Sequence, residues 1–135
     1  MILVDTSVLI DFLKGKENLK TKLFETVLKS KLPYGIAAYT YQEILQGARN
    51  ESEYIKLKEY LSTQTIYFLP EETQVYEKAA RIYFDLRRRG ITPRSTTDML
   101  IALIAMNNDL MLLHNDRDFD ELALNLDKLK ILEHL

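Results

Sequence analysis

The sequence predicts an α/β fold: a three-layer α/β/α sandwich with a central, mainly parallel sheet of four to five strands. Three observations predict it. Short apolar or β-branched runs alternate with longer stretches of helical periodicity from one end of the 135 residues to the other. The first of these runs, Ile2-Leu3-Val4, is apolar at every position, as a buried strand is. No internal repeat, low-complexity tract or linker interrupts the alternation, so residues 1–135 are expected to form a single domain.

Taken in order, the first strand stops at Asp5. A carboxylate at the carboxyl end of a parallel strand lies in the crevice where open α/β sheets bind ligands. A helix over 7–14 follows, with Thr6 or Ser7 as its N-cap, which leaves Asp5 free to face outward. Residues 15–18 are a polar break. Residues 19–32 place apolar side chains at 19, 23, 24, 27 and 28, a helical spacing that Pro33 stops. Residues 34–39 read as the second strand, ending at Thr40. A helix runs from there to about 48, and another spans 51–62 with Tyr54, Leu57, Tyr60 and Leu61 on one side.

Residues 65–69 are β-branched and aromatic and are closed by Pro70, a third strand. Glu71 and Glu72 are first-turn acids of a long helix that repeats Val75, Ala79, Ile82, Tyr83 and Leu86 and stops at Gly90. After a loop over 91–96, Thr97 caps a helix over 98–107 that is apolar on nearly every side and therefore central. Residues 110–113 form a fourth strand with Asn115 and Asp116 just past its end. A short helix near 119–124 and a weak strand at 129–132 complete the chain.

Composition bounds the function. Charged residues at 28% and apolar residues at 47% are ordinary for a soluble globular protein. The absence of cysteine excludes disulfides, thiolate nucleophiles and cysteine-bound zinc. No apolar run approaches the ~20 residues of a membrane span, and the first residues lack the pattern of a signal peptide. The expected location is the cytoplasm, without membrane contact. A net charge of −2 supplies no general attraction for nucleic acid, so such a partner must meet a local patch. Arg87, Arg88 and Arg89, with Arg81 before them and Arg94 beyond, form the only dense one.

Four acids fall at element ends that a parallel sheet brings to one rim: Asp5, Glu43, Asp98 and Asp116. Two unit charges ~4 Å apart repel by about 4 kcal/mol at an effective dielectric of 20, so such a cluster takes up protons or holds a cation. Oxygen ligands, no cysteine and only two histidines favour Mg²⁺ or Mn²⁺ over zinc. A cation held this way can activate water and neutralise charge developing on a phosphodiester. Each acid has a plainer reading as well. Glu43 completes a capping box with Thr40, Asp98 is a first-turn acid beside Thr97, and Asp116-Arg117-Asp118 is a solvated turn. Asp5 is the hardest to explain by packing alone.

In Asp5-Thr6-Ser7, in Thr40-Tyr41-Gln42-Glu43-Ile44, in Thr97-Asp98-Met99-Leu100-Ile101-Ala102 and in Leu113-His114-Asn115-Asp116-Arg117-Asp118-Phe119, the chain resembles PIN-domain ribonucleases. Within that family it resembles the VapC-type toxins of bacterial and archaeal toxin–antitoxin pairs. The resemblance runs along nearly the whole chain. It implies that Asp5, Glu43, Asp98 and Asp116 hold Mg²⁺ or Mn²⁺ and cut RNA, that Asp118 joins the metal shell, and that Thr6 or Ser7 lines the site. It also implies a homodimer and a cognate antitoxin that covers the active-site groove. His114 departs from the pattern, since the family usually has Thr or Ser there.

The leading expectation is metal-dependent endoribonuclease activity, with Glu43 as ligand or proton acceptor. Arg87, Arg88, Arg89 and Arg94 are candidates for RNA phosphate contacts, with Lys14 and Lys16 as further candidates. Consecutive arginines spread around a helix, so at most one or two of the three can face one groove. The rival is a binding module with a vestigial acid site, acting through a protein partner. A phosphotransferase fits poorly, because Ser7 stands where it would carry a second Asp, and the paired acids and late lysine of a receiver domain are missing.

Overall fold

The computed structural model describes residues 1–135. Five strands, Ile2–Val4 (β1), Tyr34–Ala37 (β2), Thr65–Tyr67 (β3), Met111–Leu113 (β4) and Lys130–Ile131 (β5), form one sheet in the order β3-β2-β1-β4-β5. Every pairing is parallel. The chain steps outward from β1 through β2 to β3, then returns to the other flank of β1 for β4 and β5. The reversal falls between β1 and β4, where Val4 is in register with Leu113, and it opens a crevice at their carboxyl ends.

Alternation along the strands sends side chains to two cores. Ile2, Val4, Ile36 and Leu113 point to one face, covered by Thr6–Leu13 (α1), Leu19–Lys29 (α2), Ala38–Gln46 (α3) and Glu51–Ser62 (α4). Leu3, Ala37 and Leu112 point to the other, covered by Thr73–Arg88 (α5), Thr97–Asn107 (α6) and Arg117–Asn125 (α7). The α/β/α sandwich with a parallel sheet is thus as the sequence predicts, with five strands. Helix α6 buries seven of its eleven residues, in keeping with apolar side chains on nearly every side. No helix is long and apolar enough to cross a membrane.

Several boundaries differ from the sequence reading, and for α1 and α3 the cause is that the helix begins directly behind its strand. Asp5 is itself the N-cap of α1, accepting from the Ser7 N–H, so the helix starts at Thr6 and the cap is neither Thr6 nor Ser7. The second strand ends at Ala37 and α3 starts at Ala38 with no side-chain cap. Thr40 therefore lies inside the helix, and the capping box with Glu43 does not form. The α5 helix begins at Thr73, leaving Glu71 and Glu72 ahead of its first turn. Thr97 is the first residue of α6, and its predecessor Thr96 makes no side-chain cap bond. Helix α7 starts at Arg117 because Asp116 caps it through the Asp118 N–H. Helix α2 stops at Lys29, before the positive φ of Lys31 turns the chain toward β2.

Candidate metal centre

The crevice is built from the ends of β1 and β4 and the starts of α1, α6 and α7. Asp5, at the tip of β1, is only 5% exposed. Its Oδ2 accepts from the Ser7 hydroxyl at 2.6 Å and from the Ser7 N–H at 3.1 Å. The Ser7 hydroxyl in turn accepts from the Asn115 N–H at 2.9 Å, tying α1 to the exit of β4. Thr6, buried, donates to Glu43 Oε1 at 3.2 Å and shares a hydroxyl–hydroxyl hydrogen bond of 3.0 Å with Thr40 Oγ1, which connects α1 to α3.

Across the crevice, Asp98 in the first turn of α6 meets Asp116 and Asp118 at the start of α7. One carboxylate oxygen from each lies within 4.8 Å of the others. Asp98 is 9% exposed, and its carboxyl is pushed up to about 7. Burial is the largest cause, followed by repulsion from Asp5, Asp116, Asp118 and Glu43. All five acids therefore share one field. Burial also raises Asp5, against the opposing hydrogen bonds from Ser7. Glu43, more open to solvent, is raised by partial desolvation, with Thr6 opposing and Asp5 adding repulsion.

Arg94, in the loop between α5 and α6, lies over this cluster. A guanidinium N–H donates to Asp116 Oδ1 at 2.9 Å, while Nε and the Arg94 backbone N–H both donate to Asp118 Oδ2 at 3.2 Å. His114 lies beneath, almost fully buried, and its Nδ1 accepts from the Asp116 N–H at 3.0 Å. That bond puts the ring proton on Nε2, which approaches Asp120 Oδ1 to 3.2 Å without alignment for a hydrogen bond. Burial lowers the imidazole's affinity for a second proton, with Asp120 opposing.

The structure thus gathers Asp98, Asp116 and Asp118 most tightly, with Asp5 and Glu43 at the flank. Ser7 and Thr6 bond to Asp5 and Glu43, and His114 supports Asp116 from below. Of the four arginines, only Arg94 reaches the acids. Arg87 stacks over Tyr83, Arg88 over Phe84, and Arg89 donates to Asn125 at 2.7 Å. Lys16 pairs with Asp11, away from the cluster. The sequence reading did not anticipate Thr40 beside Thr6, Asp120 beside His114, or Arg94 on two carboxylates. Thr40 with Thr6 and Arg94 with the two acids join elements far apart in sequence, while His114 and Asp120 are brought together by the turn from β4 into α7; no local motif marks any of these contacts.

The donor set fits a hard divalent cation. It consists of carboxylate oxygens, and bonds of roughly 2.1 Å to a six-coordinate ion need oxygens about 3–4 Å apart, within small rotations of those present. Crowded, partly protonated acids in one cleft are what an ion stabilises by replacing protons.

A parallel sheet with its strand-end crevice lined by acids is the plan of a nuclease family, and the sequence bears it out: residues 2–125 match the PIN domain, and the chain belongs to that family. Ribonuclease VapC11 of Mycobacterium tuberculosis is similar at 27% identity over 124 residues, 91% of this chain and 92% of that protein. A VapC ribonuclease of Mycobacterium bovis is similar to the same extent. Among solved structures, VapBC2 from Rickettsia felis bound to a promoter DNA fragment superposes with a TM-score of 0.71, at 20% identity over 100% of this chain and 99% of that one. VapBC-1 from nontypeable Haemophilus influenzae gives 0.70 at 21% identity over 98% of both chains. These likenesses establish the fold.

Proposed function

We propose that this protein is a VapC-type endoribonuclease, the toxin of a toxin–antitoxin pair, whose chain works as one nuclease domain dependent on Mg²⁺ or Mn²⁺. The single observation that carries the metal reading is the convergence of Asp98, Asp116 and Asp118 in a crevice that also holds Asp5 and Glu43. The kinship with ribonucleases supports RNA as substrate. The likeness to VapBC complexes supports an antitoxin partner. The reading extends to a homodimer acting in the cytoplasm.

Asp98, Asp116 and Asp118 would hold the ion, with Asp5 completing its surroundings. When bound, a divalent ion supplies water of lowered pKa and polarises a phosphoryl oxygen. Ser7 fixes the Asp5 carboxylate by two hydrogen bonds, so its free oxygen keeps one direction. Glu43, whose carboxyl is raised by partial burial and which is more open to solvent, would accept a proton from the attacking water. His114 holds the backbone of Asp116 so that its carboxylate stays at the rim.

The test is incubation of the purified protein with total RNA and Mg²⁺ or Mn²⁺, followed by mapping of new 5′ ends. Cleavage is expected at discrete sites and should vanish in Asp5→Asn, with the fold intact by circular dichroism. Metal-dependent cleavage retained by that variant overturns the assignment.

A further inference from the structure

We propose that Arg94 is an internal counter-cation that holds Asp116 and Asp118 until an RNA phosphate draws its guanidinium away, so that divalent ion and RNA promote each other's binding. This rests on the metal reading above and concerns a residue which that reading leaves without a role at the acids.

The geometry is specific. One side chain donates to two of the three closest carboxylates, at 2.9 Å to Asp116 and 3.2 Å to Asp118, and the backbone N–H of the same residue adds a second bond to Asp118. A guanidinium at those oxygens and a divalent ion among them repel each other, and both need the same lone pairs. Arg94 and the ion therefore compete. The Arg94 side chain is 68% exposed and belongs to a loop, so it can turn away without disturbing a helix or the core. Its neighbours Gly90, Thr92 and Pro93 line an open groove that Arg117, Asp118 and Glu121 close on the other side. Arg94 follows Pro93 at the edge of that groove, so a phosphodiester lying between Pro93 and Arg117 comes beside its guanidinium.

A phosphate suits the fork of a guanidinium as well as a carboxylate does, which makes the exchange a transfer between two matched acceptors. No other arginine pairs with these carboxylates: Arg87 and Arg88 stack on their own helix, Arg89 bonds to Asn125, and Arg117 lines the groove without an ion pair to Asp116 or Asp118. Linkage then requires reciprocity. If RNA frees the acids for the ion, the ion strengthens RNA binding by the same factor.

Two measurements at one pH test this. Mn²⁺ affinity is measured by calorimetry without nucleic acid for the wild type, Arg94→Gln, Arg94→Lys and Asp98→Asn. Binding of a fluorescent single-stranded DNA oligonucleotide, a phosphodiester probe that a ribonuclease leaves intact, is then followed by anisotropy with and without Mn²⁺. Arg94→Gln is expected to bind Mn²⁺ at least fivefold more tightly than wild type, and Arg94→Lys to fall between them. The gain in oligonucleotide affinity on adding Mn²⁺ should be at least threefold smaller in Arg94→Gln than in wild type. Mn²⁺ binding that is equal or weaker in Arg94→Gln overturns the proposal, as does tighter binding with undiminished coupling. Asp98→Asn separates the two ideas: if it binds Mn²⁺ like wild type, or if neither wild type nor Arg94→Gln binds Mn²⁺, the metal reading fails and takes this inference with it.

Discussion

The carboxyl of Asp98 is nearly covered by protein and faces four other acids, so in the metal-free protein it holds its proton up to about pH 7, against 3.8 when free. A folded-state pKa raised above the unfolded one stabilises the fold fully below about pH 4, and that stability is lost as pH rises through about 7. Three units of difference correspond to on the order of 4 kcal/mol. In EDTA, the urea midpoint should therefore be higher at pH 5 than at pH 8, and Asp98→Asn should flatten the difference; an unchanged slope would show that Asp98 titrates normally. His114 acts on the same cluster by a different route. Its ring fills a buried site against Phe119 and accepts the Asp116 N–H. Removing it leaves a cavity and an orphaned donor, so His114→Ala should lose about 2–4 kcal/mol of stability, whereas His114→Asn, whose amide oxygen can take the same bond, should lose less. Urea unfolding of the two variants decides it.

Sheet packing at the level of elements turns on how closely β2 approaches β3. A Cβ on Gly35 would lie 2.5 Å from the Tyr67 ring and 2.7 Å from the Thr65 carbonyl oxygen, and the carbonyl belongs to backbone that is itself in the ladder. Gly35→Ala should cost about 1–3 kcal/mol through that overlap, read as a lower urea midpoint with an unchanged m-value. The same scale shows what the sequence makes legible. The apolar run of β1 and the all-round apolarity of α6 mark the two most buried elements, because burial is written directly in residue type. Helix starts were less legible. Thr6, Thr40 and Thr97 are good caps in isolation, yet in the structure each lies inside a helix; for Thr6 and Thr40 the strand runs almost directly into the helix, which begins earlier than side-chain chemistry suggests, whereas α6 starts at Thr97 after a loop.

For the molecule as a whole, strand order decides what meets what. That Asp5, Asp98 and Asp116 would share a rim follows from a parallel sheet, and the alternation of strands and helices implies one. That β4 lies directly beside β1 does not follow from any local pattern, and with it went the contacts of Ser7 with Asn115 and of Arg94 with Asp116 and Asp118. On the metal reading proposed above, gathering these acids also couples global stability to the ion. Because an ion replaces protons, its binding should strengthen as pH rises toward 8. Millimolar Mn²⁺ should therefore raise the melting temperature more at pH 8 than at pH 5.5, and EDTA should reverse the gain. A thermal shift of equal size at both pH values would separate ion binding from these carboxyls.

The hydroxyl of Ser7, bonded at once to Asp5 and to the backbone of Asn115, spans 108 positions of the chain. Its two partners leave the ribosome far apart in time. A nascent polypeptide that has emerged only through α5 has Asp5 and Glu43 but lacks α6, β4 and α7, and with them Asp98, Asp116 and Asp118. On the metal reading proposed above, the chain stays inactive during most of its own synthesis, and activity begins when the last third folds back onto the first strand.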